Sequence, residues 1–265
     1  MARLTIKDLR AGKGTQRRTQ VYVRTPREAA ACQEAGVDMI VIAEAHDGTP
    51  TDLRGVREAA ADTFLTVGLE PYTHAGTVEV LRAAYRLVRL GVDAVYCSYG
   101  YDTVKALADE YVPVVGHVGL VPYRSSWFGG MRAVGKTADE ALEVWHRTRR
   151  YEEAGAMAVE MEVVPTPVAT EIARRTSMLV VGMGAGPGCD VQYLFATDVL
   201  GDNEGHVPRH AATYRDFRRT GWRHEEAVAA FAALVADVRS GAYPASRHEV
   251  KIPDAALARW RERMG

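Results

Sequence analysis

Eight short apolar runs, none alternating with polar residues, recur along this chain and are mostly separated by helical segments. They fall at residues 20–23, 39–43, 64–67, 94–97, 112–116, 157–161, 178–181 and 191–196. A strand buried on one face alternates in polarity. A continuous apolar run belongs to a strand covered on both faces, as in a parallel sheet wrapped by helices. Helical periodicity occupies 5–11, 26–35, 52–61, 77–90, 103–110, 137–154, 167–175 and 225–240. Thr25 as N-cap, Pro26 in the first turn and Gly36 at the end bound the second of these helices. Thr137 and Gly155 bound the long sixth one. Eight βα units without a break favour a closed barrel over an open sheet, and such barrels use about 250 residues as a single domain. The expectation is a single (β/α)8 TIM barrel across residues 1–265, with a short N-terminal helix and a polar C-terminal tail after Pro244.

Composition narrows the function classes. Thirty-three Lys and Arg stand against 34 Asp and Glu, a formal charge of −1, so no basic face for nucleic acid is expected. Cys32, Cys97 and Cys189 are odd in number and lack CxxC spacing, which argues against a disulfide framework or a structural zinc site. The first 18 residues are charged and hold no apolar core of a signal peptide. No apolar run approaches the roughly 18 residues a membrane span needs. A soluble, cytoplasmic protein without membrane or nucleic-acid partners is expected.

In barrels of this kind the reactive groups sit at the C-terminal ends of the strands. Here those ends read Glu44, Glu70, Ser98, His117, Glu162, the glycines at 184–186, and Asp198. A charge at the end of an apolar strand is costly unless it is paired, bound to metal or used for proton transfer. Glu44 and Glu70 can hold a hard divalent cation such as Mg²⁺, which needs only one or two protein carboxylates. Alternatively each pairs with an arginine such as Arg54 or Arg124. Glu162 suits a general base, because desolvation at a dry barrel mouth raises a carboxylate toward the working range; a structural ion pair is the competing reading. His117 binds substrate, orients a carboxylate or is a satisfied structural group, and Glu160 belongs to the barrel filling or a buried pair. The glycine run 182–188 is no dinucleotide fingerprint, since Pro187 stands where the last glycine belongs and no βαβ unit opens there.

Several stretches together resemble the ketopantoate (3-methyl-2-oxobutanoate) hydroxymethyltransferase family. They are Val115-Gly116-His117-Val118-Gly119-Leu120-Val121-Pro122, Gly129-Gly130 with Gly135-Lys136-Thr137, Glu162-Val163-Val164-Pro165 and Gly182-Met183-Gly184-Ala185-Gly186. Gly205-His206-Val207-Pro208 and Ser240-Gly241-Ala242-Tyr243-Pro244 extend the likeness, which runs from about Gln20 to His248. The resemblance implies a barrel of the phosphoenolpyruvate mutase and isocitrate lyase superfamily, assembled as a homo-oligomer. It implies Mg²⁺ or another divalent cation, chelated by a small-molecule 2-oxo acid whose enolate attacks the one-carbon unit of methylenetetrahydrofolate. Glu162 falls at the family's catalytic glutamate, and Glu44 and Glu70 at its metal-binding aspartates. Substrate contacts are expected from Ala45, Tyr96, Ser98, His117, Gly184 and Gly186.

Departures accompany the likeness. The family's Asp-Ser after the second strand is Glu44-Ala45, and its Lys-x-Glu on the fourth strand is Tyr96-Cys97-Ser98. Removing an ammonium that pairs with a buried carboxylate costs about 3–5 kcal/mol if the substrate is unchanged. A changed substrate, a changed metal shell or a lost activity is therefore expected. Hydroxymethyl transfer is the parent reaction. A folate-independent lyase, aldolase or decarboxylase of the superfamily is the first alternative, and a non-catalytic paralogue that binds a small molecule is the second.

Overall fold

The structure, a computed structural model, describes residues 3–46 and 48–264; Met1, Ala2, Asp47 and Gly265, though within the expected 1–265 span, lie outside the described residues. The strands are β1 (Arg18–Tyr22), β2 (Met39–Ala43), β3 (Phe64–Gly68), β4 (Ala94–Tyr96), β5 (Val114–Gly119), β6 (Ala158–Glu162), β7 (Leu179–Met183) and β8 (Val191–Phe195). All pair in parallel, and β1 closes the barrel by pairing with both β2 and β8. A two-residue hairpin, Ala45–His46 with Thr49–Pro50, stands outside it. The expected (β/α)8 barrel is what the chain forms.

The strands are apolar on both faces because each face meets a different layer. Met39, Val41, Phe64, Ala94, Val115, Leu179, Val181 and Val191 fill the barrel. The alternate residues, among them Ile40, Ile42, Leu65, Val67, Val118, Val159 and Met161, face the helices. One end is stoppered by the helix Ile6–Ala11, capped reciprocally by Thr5 and Asp8. Its Leu9 is fully buried in the inner cluster, a burial that stabilises by about 1.5–3 kcal/mol. The helix Ala138–Glu153 shows how the outer layer is built. Thr137 Oγ1 accepts the Glu140 N–H at 3.2 Å, and Ala141, Val144, Thr148 and Tyr151 are its buried positions, the three-and-four spacing of one helix face.

Three sequence expectations are corrected. The tail after Pro244 contains the helix Asp254–Met264, whose Trp260 is fully buried. Ala256, Leu257, Trp260 and Met264 recur at helical spacing and pack on the core, while Arg263 pairs with Asp139 of the long helix. The tail is polar on average and amphipathic in detail. Second, β5 ends at Gly119 rather than at residue 116, because its pairing with β6 runs on to Gly119 and Glu162. His117 is therefore inside a strand, not beyond one. The outward-facing Gly116 explains the local sequence: a Cβ there would meet the Tyr151 ring at 2.5 Å. Third, Asp198 lies in the helix Ala196–Leu200, buried and bonded by Asn203 Nδ2 at 2.7 Å, not at a strand end.

Candidate functional site

The pleat decides which side chains meet. On β6, Ala158 belongs to the barrel filling and Val159 and Met161 to the outer core, so Glu160 and Glu162 point inward with Ala158. The β5–β6 register sets His117 beside Glu160 and Gly119 beside Glu162. His117 Nε2 lies 3.0 Å from Glu162 Oε2 and 3.9 Å from Glu160 Oε1, with the three side chains 10%, 11% and 7% exposed. Close approach here requires glycine at 119: it holds φ +83°, and a Cβ would collide with the Glu162 carbonyl.

Burial and charge act against each other in this trio. Burial alone would lower the His117 pKa, but Glu160, then Glu162, then a backbone hydrogen bond with Leu120 outweigh it and raise it. Glu160 is raised above the ordinary carboxylate value, chiefly by burial; His117 opposes the shift and Glu162 adds to it. The imidazolium is thus favoured by its carboxylates, while one of the two carboxylates is biased toward its protonated form. A carboxylate beside a proton-carrying imidazole can take up and pass on a proton.

Around them a few further polar groups stand among the apolar residues that fill the barrel. Gln20 Nε2 donates to the Tyr96 hydroxyl at 2.9 Å. Tyr96 and Tyr193 are buried, and desolvation followed by Glu160 holds both phenols above their usual range. Gln20 Oε1 and Thr66 Oγ1 are buried with no hydrogen-bond partner among the described residues. Above Glu162 opens a cleft of about 400 Å³, lined also by Leu120, Lys136, Gly184, Arg209 and His210. Burial keeps the His210 pKa below that of a free imidazole.

The other expected site residues are distributed as follows. Glu44 and Glu70 follow β2 and β3, adjacent strands, and the Glu44 N–H donates to the Gly68 carbonyl at 2.8 Å. The Glu44 carboxylate is bonded not by an arginine but by His74 Nε2, at 3.0 Å. Ala45 opens the small hairpin opposite Pro50. Ser98 lines a separate cavity of about 160 Å³ with Leu69, Tyr99 and Arg124. Its carbonyl accepts from Tyr123 Oη at 3.2 Å and from the Arg124 guanidinium. Gly184 (φ +65°) leaves room for the His210 ring, and Gly186 lies against Thr166. The structure thus joins His117 to Glu162, and assigns Ser98 to a cavity apart from the cleft above them.

Glu44 and Glu70, the residues expected to hold a cation, follow neighbouring strands. His117, Glu160 and Glu162 offer one nitrogen and two carboxylates, with ligand atoms all within 4.8 Å of one another. Sequence reasoning missed His74, Gln20 and His210, for which no local signal exists. It undervalued Glu160, although the two-residue spacing from Glu162 already put both on one face.

The sequence model of a family described as ketopantoate hydroxymethyltransferase matches residues 3–246. The chain is 30% identical to 3-methyl-2-oxobutanoate hydroxymethyltransferase of Oleidesulfovibrio alaskensis, over 98% of this chain and 94% of that one. It is 35% identical to the enzyme of the same name from Deinococcus radiodurans, over 85% and 84%. Among solved structures, 2,3-dimethylmalate lyase, a member of the PEP mutase/isocitrate lyase superfamily, aligns over 98% of this chain and 97% of its own. The TM-score is 0.52 and the identity 15%, a likeness of fold.

Proposed function

Because this chain belongs to the ketopantoate hydroxymethyltransferase family, we propose that it forms carbon–carbon bonds through the enolate of a 2-oxo acid. Hydroxymethyl transfer from methylenetetrahydrofolate is the parent reaction. The observation that carries this reading is the Glu162 carboxylate on the cleft, steadied at 3.0 Å by His117. Glu162 removes the proton on C3 of the substrate. His117 keeps that carboxylate aimed. Tyr96, Ala45, Gly184 and Gly186 shape the substrate's surroundings; Ser98, in a cavity apart, stands outside them.

Glu44 and Glu70 are the residues that would hold the family's cation, with His74 steadying Glu44. A bound divalent cation would stabilise negative charge on the enolate oxygen. With Tyr96 in place of the family's lysine, the substrate carboxylate draws on cations elsewhere; Lys136 and Arg209 line the Glu162 cleft. We carry over from the family a homo-oligomeric assembly working in the cytoplasm, to be checked by light scattering and fractionation.

The test is deuterium exchange at C3 of 3-methyl-2-oxobutanoate, followed by NMR with and without methylenetetrahydrofolate. Exchange together with folate-dependent product supports the transfer reaction. Exchange indifferent to folate, with no product, leaves the enolate step and moves the enzyme to the lyase or aldolase class. No exchange with this or other 2-oxo acids removes the enzymatic reading.

A further inference from the structure

We propose that His117, Glu160 and Glu162 form a divalent-cation site within the barrel, selective for ions of borderline character such as Mn²⁺ and Zn²⁺ over Mg²⁺. The site stands on β5 and β6, whereas Glu44 and Glu70 follow β2 and β3. It rests on the enzymatic reading only in naming a cofactor class for the same cleft, and its test needs no turnover.

Geometry comes first. Donors of one ion with bonds of about 2.0–2.2 Å lie about 3.0–3.5 Å apart. His117 Nε2 and Glu162 Oε2, at 3.0 Å, already stand at that separation. Glu160 Oε1, at 3.9 Å from the same nitrogen, needs only a small side-chain adjustment to join them. The imidazole turns Nε2 toward both carboxylates, and the three ligand atoms all lie within 4.8 Å of one another.

Charge and unmet hydrogen bonding give the second line of argument. Glu160 is 5% exposed, and the charged groups acting on it are His117 and Glu162 alone. His117 Nε2, at 3.9 Å from its Oε1, is beyond hydrogen-bond reach. Two facing carboxylates and one imidazole, with no lysine or arginine among them, reach neutrality only by holding two protons, one on the imidazole and one on a carboxyl. Buried charges are paired or coordinate metals, and a divalent ion with a neutral imidazole displaces both protons and also brings this trio to zero. Gln20 Oε1, fully buried on the side chain that holds Tyr96, faces no donor from the described residues. A water on the ion is the kind of donor it lacks. The mixed donor set decides selectivity: imidazole suits Zn²⁺ and Fe²⁺ and carboxylates suit Mn²⁺, whereas Mg²⁺ prefers oxygen throughout. A carboxylate bound through one oxygen keeps the other free for the proton chemistry assigned to Glu162.

The test uses the full-length protein after chelation, titrated with Mn²⁺ and followed by loss of the free-ion EPR signal, with Zn²⁺ content measured by mass spectrometry. Wild type should bind Mn²⁺ with nitrogen coupling in the pulsed EPR spectrum, which an all-oxygen site would not show. Glu160→Gln and His117→Asn should each weaken that binding by at least about tenfold, and Glu160→Asp less. Glu44→Gln and Glu70→Gln should leave the nitrogen-coupled ion in place. Circular dichroism verifies that each variant folds. Absence of binding, absence of nitrogen coupling, or loss of the ion in the Glu44 and Glu70 variants alone would overturn the inference. Glu162-dependent proton exchange in a protein that shows no nitrogen-coupled Mn²⁺ would sink the metal site and spare the base. Exchange untouched by Glu162→Gln alongside Glu160-dependent Mn²⁺ binding would do the reverse.

Discussion

Glu160 and Glu162 stand two residues apart on one strand and turn toward the same imidazole nitrogen, at 3.9 and 3.0 Å. One carboxylate lies deeper in the barrel and the other meets the cleft. The different surroundings of two like groups divide the work between them, and that division can be tested.

If Glu162 is the group that takes the C3 proton, Glu162→Gln removes the acceptor while keeping the shape and the contact to His117. General-base catalysis contributes about 10²–10⁴-fold. Deuterium exchange at C3 should fall by that factor, with an unchanged circular dichroism spectrum. A variant that exchanges at the wild-type rate would end the assignment.

Tyr96→Phe deletes the hydroxyl that accepts from Gln20 Nε2 inside the barrel. Gln20 is fully buried and its Oε1 is already unpaired, so a second unmet atom is left without water to satisfy it. The expected loss is about 1–3 kcal/mol, read as a lower urea midpoint at unchanged slope. A neutral result would mean that the amide finds another partner.

Trp260 is fully buried although it belongs to the C-terminal segment. Trp260→Ala should cost about 3–5 kcal/mol, as for other large core residues cut to alanine. Thermal unfolding followed by circular dichroism measures it. A change below about 0.5 kcal/mol, the range of ordinary surface substitutions, would show that the tail helix is not part of the cooperative core.

The three thiols should be silent in the native protein. Cys32, Cys97 and Cys189 are all free and buried. Burial raises each thiol, Cys97 to about 11, Cys189 to about 12 and Cys32 well above its usual value. Since the thiolate is the reactive form, a disulfide reagent at pH 8 should label none rapidly and all three in denaturant. Fast labelling of the folded chain would place a cysteine at the surface.

Much of the site was legible because a strand's end is a local property. The apolar run before Glu162 and the proline after it mark where that strand stops, and a carboxylate at such an end is visible without coordinates. His117 was visible as a residue but not as a strand residue, since the extension of β5 to Gly119 depends on its pairing with β6. His74, the partner of Glu44, follows the next strand in a loop without periodicity, so nothing near it in the chain announces the contact. The tail was misjudged because average polarity hid the helical spacing of Ala256, Leu257, Trp260 and Met264.

By itself the sequence determined the alternation of helix and strand, the wrapping of every strand on both faces, and the carboxylate at the end of the sixth. These follow from hydrophobic periodicity and capping, which act over a few residues. Barrel closure decided the rest: that Gln20 meets Tyr96, that His117 stands between Glu160 and Glu162, and that the tail docks on the long helix. Such meetings depend on register between strands far apart in the chain, and register is set by how all eight close together.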